Sequence, residues 1–336
     1  MTTIGLDIAK SLFPVHGRDE RGRVVPRKRL APAKVLAFFA DLPRGGIGLE
    51  ACGGAYHRAR ELTRLGHDAR LMPPPYLKAY VKTNQHDAAD AEGCGEAVQR
   101  PSRRFVAVKS DARQAPLMLH RGRDPLIGQR TATINALRGH WAELGIVAAQ
   151  RQAGVRALMT ALGEVEDRRI APLAREVLQT LVAHLRELEN KLAGLDRRLL
   201  EMARTDERCR SLGAVPGIGP VIATAFAATV PDARAFRSGR HRAAWRGRVP
   251  RQPSTAGKER RLGLSKRGDG HLRRQLIHGA RALVRVSKGR EGKLWSGIDQ
   301  LRQRRPFNVV VAAVANQLAR VLWAMLSRGE PYRAAA

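Results

Sequence analysis

TTIGLDIA, residues 2–9, is a short apolar run carrying one acid, and its reading decides the fold of the first third of the chain. Apolar and β-branched residues over so short a span read as a strand with Asp7 at its centre, a position where burial without a partner is costly. FPVHG at 13–17 and GRVVPRKRL at 22–30 read as two further short strands joined by turns. Pro32-Ala33 then opens a helix through about Asp41. GIGLEA at 46–51 reads as a strand whose end carries Glu50, followed by Gly53-Gly54, a helix from about Ala55 to Leu65, and the strand DARLM before the Pro73–Pro75 break. Strands that give way to alternating helices and strands imply a mixed α/β sheet over residues 1–105.

Composition names a partner class. The 336 residues are 43% hydrophobic but only 4% aromatic, which suits helix-rich globular material long enough for more than one core. Sixty-one Lys and Arg against 30 Asp and Glu leave a formal charge of +31, a field that attracts polyanions, nucleic acid first among them. Cys52, Cys94 and Cys209 form no C-x-x-C pair and are odd in number, against both a disulfide framework and a thiolate zinc site. A reducing cytoplasm fits, and MTTIGLDIAK shows no signal-peptide pattern. The apolar run Phe307–Leu326 is broken by Asn316, Gln317 and Arg320, so it is expected as a buried amphipathic helix with no membrane partner.

Beyond the sheet the chain reads as mainly α, giving the class α/β plus mainly α. Residues 106–206 form a helical region in which Leu181, Leu185, Leu188, Leu192, Leu195, Leu199 and Met202 follow steps of four and three. That seam suits a coiled-coil arm in a homo-oligomer or a long bundle helix packed on its own chain. Residues 207–336 carry PGIGP at 216–220 before an apolar helical run. This is the layout of a helix-hairpin-helix, in which Gly217 and Gly219 bring backbone amides to a phosphate, or of a plain glycine turn between packed helices. The basic series that follows offers Lys258, Arg260, Lys266, Arg267 and Arg273 to phosphates, the last on a helix with Leu272, Leu276, Ile277, Ala280 and Leu283 along one face.

Four acids stand apart from the cationic background. HDAADAEG at 86–93 places Asp87 and Asp90 three apart, on one face of a helix. Taken singly, each acid has an ordinary use, Asp7 as a turn or cap residue and Glu50 as a helix-start acid. Taken together, a strand Asp, a strand Glu and a helical Asp pair make a four-carboxylate cluster suited to Mg²⁺, which prefers hard oxygen ligands. Gly93 and Gly95 in the same helix each cost roughly 1 kcal/mol relative to alanine.

GLDIAK, GLEACGGAYHRAREL, VKTNQHDAADAEG, PGIGPVIA and AAWRGRVPRQPSTAGKERRLGLSKRGDGHLRRQLIHGAR, in that order, resemble a known family over nearly the whole chain. It is the insertion-sequence transposases with an N-terminal RuvC-like (RNase H-like) DEDD domain and a C-terminal serine domain, the bridge-RNA-guided recombinases, with Piv-type invertases among their relatives. The resemblance implies that Asp7, Glu50, Asp87 and Asp90 bind Mg²⁺. It also implies a covalent hydroxyl–DNA linkage, a non-coding guide RNA, DNA partners at element ends and target, a dimeric or tetrameric assembly, and a bacterial, nucleoid-associated location. Counting back from Leu264 puts the family's serine on Thr255, with Ser254 beside it and Ala256 where glycine is usual. Arg246 and Arg248 stand where the family usually has apolar residues. The rival readings are a RuvC-like Holliday-junction nuclease, hydrolytic and without a protein nucleophile, and an inactive nucleic-acid-binding copy.

Overall fold

The structure, a computed structural model, describes residues 3–19, 21, 23–77, 87–99, 105–147, 154–155, 159–160, 162, 170–230 and 269–333, without the side chains of 25, 26, 75, 76 and 87–89. The chain divides into two compact units, Met1–Asp111 and Ala112–Ala336.

The first unit runs β1 (Thr3–Leu6), β2 (Phe13–Arg18), β3 (Val24–Leu30), a 3₁₀ turn at Pro32–Lys34, α1 (Val35–Ala40), β4 (Gly46–Glu50), α2 (Ala55–Arg64), β5 (Asp68–Met72), α3 (Pro74–Leu77) and α4 (Asp87–Val98). Its sheet has the order β3-β2-β1-β4-β5. β1 pairs antiparallel with β2 and parallel with β4, so the sheet is mixed, as the sequence implied.

A tripeptide used twice explains how this sheet is covered. Ile-Gly-Leu occurs at 4–6 and at 47–49, and the parallel register matches Ile4 to Ile47, Gly5 to Gly48 and Leu6 to Leu49. Successive strand residues face opposite sides. Ile4, Leu6, Ile47 and Leu49 therefore join Phe13, Val15, Val35, Phe39, Ala59 and Leu62 in one core beneath α1 and α2. The glycines face the other side, where α4 lies against the bare backbone. A Cβ on Gly5 would stand 1.8 Å from the carbonyl oxygen of Ala91, and one on Gly48 would stand 2.6 Å from that of Cys94. Gly95 answers from the helix: a Cβ there would meet the backbone nitrogen of Gly5 at 3.3 Å and the carbonyl oxygen of His16 at 3.5 Å. At position 95, then, glycine permits close approach, and its propensity cost is offset by the seating of α4.

The second unit is helical: α5 (Asp111–Glu143, beginning at the boundary), α6 (Pro172–Thr205), α7 (Glu207–Gly213), α8 (Pro220–Thr229), α9 (Gly270–Val286), α10 (Lys293–Arg304) and α11 (Phe307–Arg328). Leu137 and Trp141 of α5 share a core with Leu178, Val182 and Leu185 of α6. Further along, Arg123 reaches Asp196 at 2.6 Å, so residue numbers rise along one helix as they fall along the other and the pair is antiparallel. The leucine seam is covered within one chain, with Leu185, Leu188, Leu192 and Leu199 all buried, which is the bundle-helix alternative. α7 to α11 enclose a separate core containing Leu212, Ile222, Phe226, Leu272, Leu276, Leu283, Ile298, Val314 and Leu318. α11 is long and apolar enough to cross a membrane, yet its Val310, Val314, Leu318, Leu322 and Met325 build that core.

Candidate active site

Two of the predicted acids, Asp7 and Glu50, lie at one end of the mixed sheet, and the other two, Asp87 and Asp90, lie in the first turn of α4. β1 closes at Leu6, so Asp7 stands just past the strand and not at its centre, with its backbone N–H still donating to Pro14 O at 3.1 Å. The physical reason is the alternation itself: Ile4 and Leu6 fill the core, and the acid falls where the ladder ends and hydration is retained. Glu50 is the last residue of β4. Because Leu6 pairs with Leu49, Asp7 and Glu50 are the next positions on adjacent parallel strands, about 5 Å apart in backbone spacing. Both are half-buried, and so is Asp90 in the first turn of α4, where the helix dipole favours an acid. Asp87 opens α4, and its side chain lies outside the described residues.

These charges meet at one sulfur. Cys94 follows Asp90 by one helical turn and is fully buried. Burial first, then the negative charges of Asp7, Glu50 and Asp90, push its thiol far above the ordinary range. The Cys52 thiol is raised by burial, then by Glu50 and Asp7. Further along α4, Arg18 donates to Glu92 at 3.1 Å and Arg27 lies 3.8 Å from the same carboxylate. Among the described residues, which omit the Asp87 side chain, no three His, Cys, Asp or Glu side chains stand close enough together to hold a metal ion.

In the second unit the glycine turn separates its two predicted contacts. Gly217 has φ +78°, and a Cβ there would strike Leu283 Cγ at 2.7 Å and the carbonyl oxygen of Gly279 at 3.0 Å, so it packs inward on α9. Gly219 precedes α8 as its cap and has open space on its Cβ side, leaving it as the glycine of the pair that a ligand can approach. Arg273 is half-buried on α9, its backbone N–H donating to Asp269 O at 3.2 Å. Ser254, Thr255, Lys258, Arg260, Lys266 and Arg267, with Arg246, Arg248 and Ala256, lie outside the described residues.

A further polar group was missed by sequence reading. His120 and Asp124 of α5, Thr224 of α8, and His271 and Arg274 of α9 come together around two imidazoles whose ring centroids are 5.3 Å apart. His120 Nε2 lies 3.1 Å from Thr224 Oγ1, and Asp124 Oδ2 lies 2.9 Å from His271 Nδ1 and 2.6 Å from Arg274 Nη2. Burial first, then His271 and Arg123, lower the pKa of His120 to about 4. No local spacing announces this group, because it joins positions more than a hundred residues apart.

A profile of the IS116/IS110/IS902 transposase family matches residues 209–295. Along 99% of both chains the protein is 46% identical to a probable family 20 transposase of Pseudomonas aeruginosa. The chain belongs to the IS116/IS110/IS902 family of insertion-sequence transposases. It is also 40% identical to the putative transposase y4pF/y4sB of Sinorhizobium fredii, over 99% of this chain and 86% of that one. With the transposase for insertion sequence element IS1111A of Coxiella burnetii it shares 36% identity, over 99% of this chain and 92% of the other. In this IS116/IS110/IS902 transposase the matched segment runs from α7 into α10, so the glycine turn and His271 both fall within it.

Proposed function

We propose that the chain cuts and rejoins DNA strands at the ends of an insertion sequence, with Asp7, Glu50, Asp87 and Asp90 as its metal-binding acids and a hydroxyl of Ser254 or Thr255 as nucleophile. The observation that carries this reading is that Asp7 and Glu50 follow one another at the ends of adjacent parallel strands, with Asp90 in the first turn of the helix α4 that packs on the glycines of both strands. Carboxylates gathered at one end of a sheet repel each other, and a divalent cation relieves that repulsion. Their hard oxygens fit Mg²⁺, which when bound would activate an attacking oxygen and steady a leaving one. A mixed sheet delivering two acids from adjacent strand ends supports the RuvC-like reading of the first unit. The α7–turn–α8 arrangement supports the helix-hairpin-helix reading of the second.

The rest of the work falls to the chain's own groups. The nucleophile's oxygen forms the new bond to phosphorus while an ester oxygen departs; on Thr255 the added methyl would restrict χ1 relative to serine. Gly219 and the cations Lys258, Arg260, Lys266, Arg267 and Arg273 hold phosphates without reading sequence. The same positive charge suits a non-coding guide RNA, and shared active sites suit a dimer or tetramer in the nucleoid.

The test is to incubate the full chain with element-end DNA, its flanking non-coding RNA and Mg²⁺, then resolve protein-linked DNA on a denaturing gel. Linked DNA is expected from wild type, and none from Asp90→Asn. It should also vanish in one of Ser254→Ala and Thr255→Ala, which identifies the nucleophile. Cutting without linkage would replace this reading with a hydrolytic junction nuclease, and binding without cutting would leave only a nucleic-acid-binding protein.

A further inference from the structure

Residues 285–305, where α9 ends and α10 runs to the start of α11, hold seven Lys and Arg against two acids, Glu291 and Asp299. One of those acids is engaged inside the fold. Asp299 Oδ1 accepts from the buried Ser287 hydroxyl at 2.7 Å and lies 3.7 Å from Arg302, which also donates to Ser287 Oγ at 3.0 Å and to Val284 O at 3.3 Å. This network draws the far end of α10 onto the end of α9. Lys288, Arg290, Lys293, Arg304 and Arg305 stay exposed around it, and among the described residues no carboxylate pairs with any of the five. Arg290 lies over the Trp295 ring at 4.8 Å, which fixes one cation of the group in place.

Helix stability does not ask for these cations. A cation suits the last turn of a helix and opposes the first. Lys293 opens α10, Arg304 and Arg305 stand directly before the Pro306 cap of α11, and neither helix has an acid in its first turn. Offsetting a helix C-terminus therefore accounts for Lys288 and Arg302 but not for Lys293 or Arg305. Apolar side chains share the surface: Leu301, Phe307 and Val309 are exposed beside the arginines, and Phe307 is the only Phe or Trp exposed among the described residues. A second copy related by a two-fold axis would set the cations against themselves. A duplex offers phosphates but hides the faces of its bases, which leaves Phe307 unused. An unpaired strand offers both, phosphates for the cations and a base face for the ring.

We propose that the corner of α9, α10 and α11 is a surface for an unpaired DNA strand, its phosphates held by Lys288, Lys293, Arg304 and Arg305 and one base stacked on Phe307. The partner is DNA because the chain belongs to a family of insertion-sequence transposases. An unpaired strand arises wherever the two strands of an element end separate, and this surface holds one of them. The assignment goes beyond the strand-transfer reading, since it needs neither the acids of the first unit nor a hydroxyl nucleophile.

The test is fluorescence anisotropy of the full chain in EDTA, so that no strand is cut, with a labelled single-stranded DNA, its duplex and an RNA of the same sequence across a salt series. Phe307→Ala and Phe307→Leu should each weaken single-strand binding about 10-fold, leaving duplex binding and melting temperature unchanged. Arg304→Gln combined with Arg305→Gln should weaken it too, and should lower the slope of log affinity against log salt by about 1.4. Removing the same charge from α6, by Arg197→Gln with Arg198→Gln, should leave single-strand binding nearly as it was. Wild-type affinity in both Phe307 variants, or an equal loss from the α6 pair, overturns the proposal and makes the attraction one of general charge. An effect of Phe307 on the RNA and not on the DNA reassigns the surface to RNA. Capture by phosphatidylglycerol vesicles that depends on Phe307, with single-strand binding unaffected, reassigns it to a lipid headgroup, and either result overturns the DNA assignment. None of these measurements needs cutting, so a chain that binds as described but neither links nor cuts DNA would sink the strand-transfer reading and leave this one standing.

Discussion

Two regions of this cationic chain gather carboxylates, and they do so in opposite ways. At the end of β1 and β4, Asp7, Glu50 and Asp90 act together on Cys94 with a single sign. In the helical unit, Asp124 is matched at once by Arg274 and by the N–H of His271. Carboxylates of one sign brought to one region suit a divalent cation, whereas a carboxylate held by a guanidinium and an imidazole N–H fixes how those two groups lie. The first arrangement suits a metal site and the second a positioning device. What the regions share is how they are assembled, because each depends on backbone touching backbone through glycine: Gly5, Gly48 and Gly95 under α4, and Gly217 with Gly279 at the α8–α9 contact.

The largest effects should come from breaking what is shared. Gly5→Ala would place a methyl 1.8 Å from Ala91 O and Gly279→Ala one 2.2 Å from Gly217 O, so each should lower unfolding free energy by about 3 kcal/mol or more in chemical denaturation. Gly46→Ala, with nothing within 4 Å, is the control and should change little.

Next comes the helical unit's response to acid. His120 has its folded-state pKa lowered from 6.5 to about 4, so the unfolded chain takes up the proton first. Stability should be whole above about pH 6.5 and fall as pH drops towards 4, by up to about 3 kcal/mol from this residue. His120→Gln should flatten that part of the stability–pH curve; an unchanged curve would show that His120 is not held neutral.

Smaller, but more telling for the contrast, is a neutralising substitution. Asp124→Asn removes the charge from matched hydrogen bonds and should cost about 1–3 kcal/mol. An unchanged melting temperature for Asp124→Asn would show that these hydrogen bonds do not tie α5 to α9.

Much of the first unit was legible because its signals are local. Apolar runs in TTIGLDIA and GIGLEA mark the strands, and Glu50 at the end of the second follows from them, whereas Asp7, expected at the centre of the first, stands just past it. The apolar run continues through Ile8, so it does not mark the end of the ladder at Leu6, and Gly5, the position that seats α4, carries no hydrophobic signal. For the same reason Gly95 read as a helix defect when it is a contact. The seam at Leu185, Leu188, Leu192 and Leu199 was visible as a period, but a period cannot say whether its cover comes from the same chain. His120, Asp124 and His271 were invisible, since the contacts that define them span 104 and 147 residues and depend on how α5, α8 and α9 pack.

The central claim is that the like-signed acids of the first unit bind a divalent cation. Isothermal titration of the full chain with Mn²⁺, beside Asp7→Asn and Glu50→Gln, tests it most directly. Wild type should bind saturably and both substitutions should abolish binding, with the fold retained by circular dichroism. Equal binding by all three proteins, or none by wild type, would contradict it.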